Sequence, residues 1–226
     1  MTLVDETLGW LADPTHWQGP GGIPVRLAEH VGLSTASLLI ALAIALPAGL
    51  WIGHTGRGAA FAVNLANLGR ALPTLAVIGL VLPLTASLDP QLGFKVYPTL
   101  IAMVVLAVPV VLVNTYAGVA GVDRDLVEAG RGMGMDWRAL VGRLEVPVAL
   151  PVIAGGVRSA AVLVVATATI GAVFGSGGLG RFLVEGIAQN DDGMIFGGVV
   201  LVAGLAVLTE LGFGAIQRAL TPRGTG

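Results

Sequence analysis

The chain has 226 residues, of which 55% are hydrophobic and only 12% charged; a soluble domain carries about a quarter charged residues. A formal net charge of −2 excludes the basic footprint of a nucleic-acid binder. Cysteine is absent, which excludes disulfides, thiolate metal sites and cysteine nucleophiles. A mean hydropathy of +0.87 is what a lipid-facing surface requires.

Residues 1–30 precede the first long apolar run. Asp5 and Glu6, with no Lys or Arg among the first ten residues, do not make the basic start of a secretory signal. Trp10 and Trp17 suit the headgroup level, so the segment reads as interfacial and extracytoplasmic. Gly19-Pro20-Gly21-Gly22 then breaks any helix.

Five segments are long and apolar enough to span a bilayer, which takes roughly 20 residues. They cover residues 31–52, 61–84, 98–119, 148–174 and 194–216 within a membrane domain 31–217. Strand-like alternation is missing, so the fold class is all-α. Pro47, Pro73, Pro83 and Pro109 fall within these spans and predict kinks. Arg57, Arg124, Arg131, Arg138, Arg143, Arg218 and Arg223 fall on one side, seven in all. Arg26, Lys95 and Arg181 fall on the other, three in all. Positive charge favours the cytoplasm, which puts the N-terminus outside and the tail 218–226 inside.

The largest polar piece is the loop at about 120–147, between the third and fourth spans. Residues 122–133 read as a short helix capped by Asp123, with Gly132 and Gly134 placed to end it. Asp136 starts a second short helix over 137–144, expected to stop before Pro147.

This loop resembles the signature of bacterial ABC importer permeases. Glu128-Ala129, then Gly134, then Leu144, Val146 and Pro147 fall on that pattern in register. Gly130 departs from it by replacing a second alanine, at a cost in helix propensity of up to about 1 kcal/mol. Arg70 to Ala76, Asn114 to Gly118 and Gly175 to Gly180 extend the resemblance over nearly the whole chain, toward the osmoprotectant branch. The resemblance implies a type I importer permease fold of about five transmembrane helices in a bacterial inner membrane. It also implies that residues 120–147 form a coupling helix docking on a separate ATPase subunit. Glu128, Ala129, Gly130, Gly134, Leu144 and Pro147 would then be the coupling residues. The solutes would be glycine betaine, choline or carnitine, with methionine or other amino acids as the alternative. The implied partners are the ATPase, a second permease chain and an extracytoplasmic solute-binding protein. ATP and magnesium would sit on the ATPase. The chain has no GxxxxGK[ST] of its own, so no bound cofactor is expected.

Polar residues inside the spans are expensive and so informative. Asn64, Asn67 and Arg70 recur every third residue in the second span; Asn114 lies in the third, Arg158 in the fourth and Glu210 in the fifth. At about 1.5 Å per residue, Arg70, Arg158 and Glu210 lie about 10–15 Å from the cytoplasmic ends. They are expected to face the bundle interior and find partners, as a structural network or as an inner gate. Glu210 is the one credible acid at that depth and has no evident His or Ser partner, which argues against an enzyme. The aromatic residues are dispersed, so no cage for a cation can be read.

Gly175, Gly177, Gly178 and Gly180 match the dinucleotide pattern GxGxxG. No strand precedes them, so that reading fails; an outer turn or gating segment is expected. His16, His30 and His54 have no ligand spacing and read as surface or interfacial, with no metal site.

Overall fold

The computed structural model describes residues 2–89 and 91–221, and for Arg70 the backbone alone. Every regular element among them is helical. The side chain of Arg70 and the tail from residue 222, with Arg223, lie outside the described residues.

Helix α1, Leu3–Ala12, opens on a capping box in which Thr2 and Asp5 exchange hydrogen bonds. A 3-10 turn at Pro14–Trp17 leads to α2, Ile23–Thr55, a single helix of 33 residues. It begins earlier than the sequence suggests, because Pro24 fits the first turn of a helix while Gly22 caps it. It ends at Gly56, whose φ of +69° suits a residue without Cβ.

The expected second span is broken. Helices α3, Ala59–Ala71, and α4, Thr74–Leu88, meet at Leu72-Pro73 with a 96° bend. Pro73 withdraws a backbone donor and forces Leu72 into extended backbone, so the kink becomes a corner. Pro47, Pro83 and Pro109 instead sit inside continuous helices. The short α5, Leu92–Lys95, precedes α6, Tyr97–Ala120.

Helix α7 covers Arg124–Gly132. Helix α8, Trp137–Ala139, does not stop before Pro147 as expected. It runs through a π turn, Leu140–Glu145, directly into α9, Val146–Gly171. Val146 N–H donates to Val141 O, five residues back. The widened turn gives the Pro147 ring room that an ordinary α turn denies it. Beyond α9 the Gly-rich segment leads into a helix that the sequence reading missed, α10, Gly180–Gln189. Helix α11, Asp192–Leu220, completes the chain.

Among the described residues, four stretches are long and apolar enough to cross a membrane: α2, α6, the 38-residue run from Trp137 to Phe174, and α11. The bent pair α3–α4 makes up to five. Small residues fill the core between α2, α6 and α9: Ala41, Ala45, Ala107, Ala160, Ala161 and Ala168. Lipid tails are as apolar as leucine, so these helices associate through close packing, which small residues permit. A Cβ added at Gly49 would lie 2.6 Å from Thr115 Cβ, and one at Gly53 2.6 Å from Val119 Cβ. Overpacking of that kind typically costs 1–3 kcal/mol.

Candidate functional site

The polar loop folds onto the end of the bundle through local hydrogen bonds. Asp123 Oδ1 accepts from Asp125 N–H at 2.9 Å and caps α7. Gly134 N–H donates to Arg131 O at 2.9 Å, and Met135 N–H to Gly130 O at 3.1 Å, which closes the helix. Gly134 has φ +83°, a conformation that favours glycine. Asp136 Oδ1 then accepts from Ala139 N–H at 2.8 Å and starts α8.

Gly130 is the hinge point of this packing. It is buried, and a Cβ there would meet Leu140 Cδ2 at 2.9 Å, Met135 Sδ at 3.2 Å and Leu144 Cδ1 at 3.4 Å. Its lack of a side chain lets α7 lie against the π turn. The sequence departure at Gly130 is therefore a packing requirement as well as a loss of helix propensity. Leu144 contributes to the same contact. Glu128, Ala129 and Pro147 are exposed. So are Leu126, Met133 and Trp137, with the Arg138 guanidinium 5.2 Å from the Trp137 ring centroid.

A polar cavity of about 570 Å³ opens between the ends of α2, α6 and α7. His54, Tyr116, Arg124, Glu128, Arg131 and Glu145 line it. Glu145 is only 4% exposed, and both its carboxylate oxygens lie 2.9 Å from His54 Nδ1, which donates. This pair ties α2 to the motif just before Pro147. The sequence reading took His54 for an unremarkable interfacial residue and gave Glu145 no role. The available signal was a carboxylate at the head of an apolar run, which must find a partner when buried.

Among the described side chains, the polar residues expected as an intramembrane network or gate meet at one pair, Arg158 and Glu210. Asn64 and Asn67 lie exposed on α3. Asn114 Nδ2 donates to Val110 O at 2.8 Å within its own helix, and Gly156 makes room for its side chain. Arg158 and Glu210 do pair, across α9 and α11, with Nε donating to Oε1 at 2.7 Å. Their side chains are 38% and 40% exposed, so they do not face the interior of this chain. Gln217, unremarked in the sequence, extends the pair: Arg158 Nη1 donates to its Oε1 at 3.2 Å, and its Nε2 donates to Pro151 O at 2.9 Å.

At the opposite end of the bundle, Gly175, Gly177 and Gly178 all have positive φ, +86°, +80° and +75°. Gly180 starts α10 and is packed against the end of α9. His30 is buried here and not interfacial. Among the described residues, no group of His, Asp or Glu could hold a metal ion.

Among the described residues, four or five apolar helices carrying a packed polar loop define a multi-pass helical membrane protein. Residues 45–225 match the family described as binding-protein-dependent transport system inner membrane component, and the chain belongs to that family. It is similar to the carnitine transport permease protein OpuCB of Listeria monocytogenes, 33% identical over 88% of each chain. It is also similar to the glycine betaine/carnitine/choline transport system permease protein OpuCB of Bacillus subtilis. That relative is 29% identical over 90% of this chain and 91% of its own. In fold it matches an inward-facing structure of the MetNI methionine ABC transporter with a TM-score of 0.78. That match is 21% identical and covers 93% of this chain and 100% of that one.

Proposed function

We propose that this chain is the permease subunit of an ATP-driven importer of quaternary ammonium osmoprotectants such as glycine betaine, choline or carnitine. In this reading residues 120–147 dock on a separate ATPase subunit and convert its closure into alternating access. The observation that carries the coupling role is the loop's construction. Two helical pieces bend at Gly134, lock together through Gly130, Leu140 and Leu144, and continue without interruption into a membrane helix. A push on α7 therefore reaches α9 through packed side chains and unbroken backbone. Glu128 and Ala129, exposed on α7, face a partner, beside the apolar Leu126, Met133 and Trp137.

The solute class is supported by the relatives, whose names specify carnitine, choline and glycine betaine. The likeness to a methionine transporter, at 21% identity, bears on the fold and not on the solute. Selectivity resides chiefly in an extracytoplasmic binding protein, since this chain offers few clustered aromatic residues for a cation. The arginine distribution supports a cytoplasmic loop and C-terminus, and a second permease chain completes the pathway.

The test is reconstitution of the chain with its ATPase and binding protein in vesicles. Carnitine, choline or glycine betaine uptake should require ATP and the binding protein. Glu128→Lys should leave membrane insertion intact while ATP hydrolysis no longer drives uptake. Normal uptake by that variant would refute the coupling assignment.

A further inference from the structure

Helix α2 is fastened at both ends to segments distant in sequence. At one end, Gly178 N–H donates to Glu29 Oε2 at 2.8 Å, and Leu179 N–H donates to His30 Nδ1 at 3.3 Å. Because Nδ1 of His30 accepts, Nε2 carries the ring proton and donates to Val165 O at 2.9 Å. These backbone donors lie at the N-terminus of α10, where such groups lack intrahelical partners and negative charge is favourable. Glu29 and His30 thus cap α10 from another helix. Arg26 supports the carboxylate from one turn earlier, Nη1 to Oε2 at 3.0 Å. The fit depends on the glycines: a Cβ at Gly177 would lie 3.0 Å from Glu29 Cδ, and one at Gly178 3.1 Å from His30 Nδ1.

At the other end, His54 holds the buried Glu145 where the loop enters α9. Glu29 and His54 are separated by an unbroken helix of roughly 38 Å at 1.5 Å per residue, more than the ~30 Å of a hydrocarbon core. Between them Pro47 removes one backbone hydrogen bond, and α2 sits flush on α6 at Gly49 and Gly53, which braces it just beyond that point.

We propose that α2 is a strut carrying movement of the 120–147 loop to the Gly-rich turn and α10, with His54 at one end and Glu29 with His30 at the other as its positioning residues. The proposal rests on the coupling role of that loop. Helix α9 joins the loop to the same turn through its backbone; α2, pinned at both ends, is a second connection beside it, and loss of either pin weakens the movement that reaches the far end without abolishing it. The Gly-rich motif then has a purpose that nucleotide binding cannot supply: it is the socket for the strut.

The chain lacks cysteine, so single environment-sensitive labels report one site each. One goes on Gly142→Cys, where an added Cβ meets nothing within 4 Å; the other goes on Gln189→Cys, exposed at the end of α10. Both are read in the assembled transporter in vesicles, before and after addition of a non-hydrolysable ATP analogue. In the parent both labels should respond. In His54→Ala and in Glu29→Ala, which remove the donor and the acceptor, the label at 142 should still respond, while the response at 189 falls about threefold or more. Responses at 189 equal to the parent in both variants would overturn the strut. The variants sit at opposite ends, so if one fails to assemble, the other decides. A parent label at 142 that ignores the nucleotide would instead sink the coupling role itself.

Discussion

Arg158 on α9 reaches across to Glu210 on α11, Nε to Oε1 at 2.7 Å, and Gln217 joins the same guanidinium one side chain further on. Residues 52 positions apart thereby hold two helices in one register. In a bilayer each charge depends on the other, because an unpaired ion at that depth is expensive.

Glu210→Ala should therefore lower folded yield more than the double variant with Arg158→Ala, since the single change strands an arginine. Solute preference should stay unchanged in both. Expression yield and thermal unfolding in detergent measure the first, and competitive uptake the second. A switched preference at normal yield would assign the pair to the pathway instead.

Gly130 makes opposing demands visible. Alanine there gains up to about 1 kcal/mol of helix propensity, yet its Cβ would press on Leu140 at 2.9 Å. Gly130→Ala should be close to neutral in hydrogen exchange of α7, with leucine far more disruptive. Strong protection of α7 in the alanine variant would mean that the contact with Leu140 relaxes freely.

Trp10 anchors α1 to the bundle. It is 7% exposed, stacks on His16 with ring centroids 4.4 Å apart, meets Phe182 edge-on at 5.1 Å and lies against Gly197. Trp10→Ala should cost about 3–5 kcal/mol of local stability and undock α1. Gly197→Leu should produce the same undocking from the other side of the contact. Limited proteolysis after residue 12 reads both, and resistance in either variant would contradict the docking.

The capping box gives α1 a dependence on acidity. The Asp5 carboxyl is held below the ordinary carboxylate range, first by the Thr2 N–H and then by the Thr2 hydroxyl. A depressed folded value means that the cap contributes fully above the unfolded pKa of about 3.9 and is lost as pH falls through the folded one. The first turn of α1 should keep its hydrogen-exchange protection from neutral pH to about 5 and lose part of it progressively below 4, while the Trp10 contact holds the rest of the helix. Asp5→Ala should lower protection near neutral pH to the level the parent reaches in acid, and so flatten that dependence.

Much of the architecture was legible because lipid imposes simple rules. Each apolar run must be long enough and must satisfy its own backbone, so 31–52, 98–119 and 194–216 mark helices without reference to any neighbour. The motif from Glu128 to Pro147 was legible because glycine and proline carry backbone requirements in their own chemistry. Leu72-Pro73 was harder: a proline predicts a bend, but its size follows from what the flanking helices pack against. The same holds for Asn64 and Asn67, whose spacing gave a common face without saying which way it points.

The sequence by itself determined that this chain is a bundle of membrane helices with a polar, motif-bearing loop, because hydropathy and backbone chemistry act locally. Only the tertiary structure decided that His54 meets Glu145, that Glu29 and His30 cap α10, and that Pro147 lies inside a continuous helix. Those outcomes join residues 91 and 149 positions apart, or depend on a widened turn. Close approach through glycine sets which side chains meet at such distances, and no local periodicity records it.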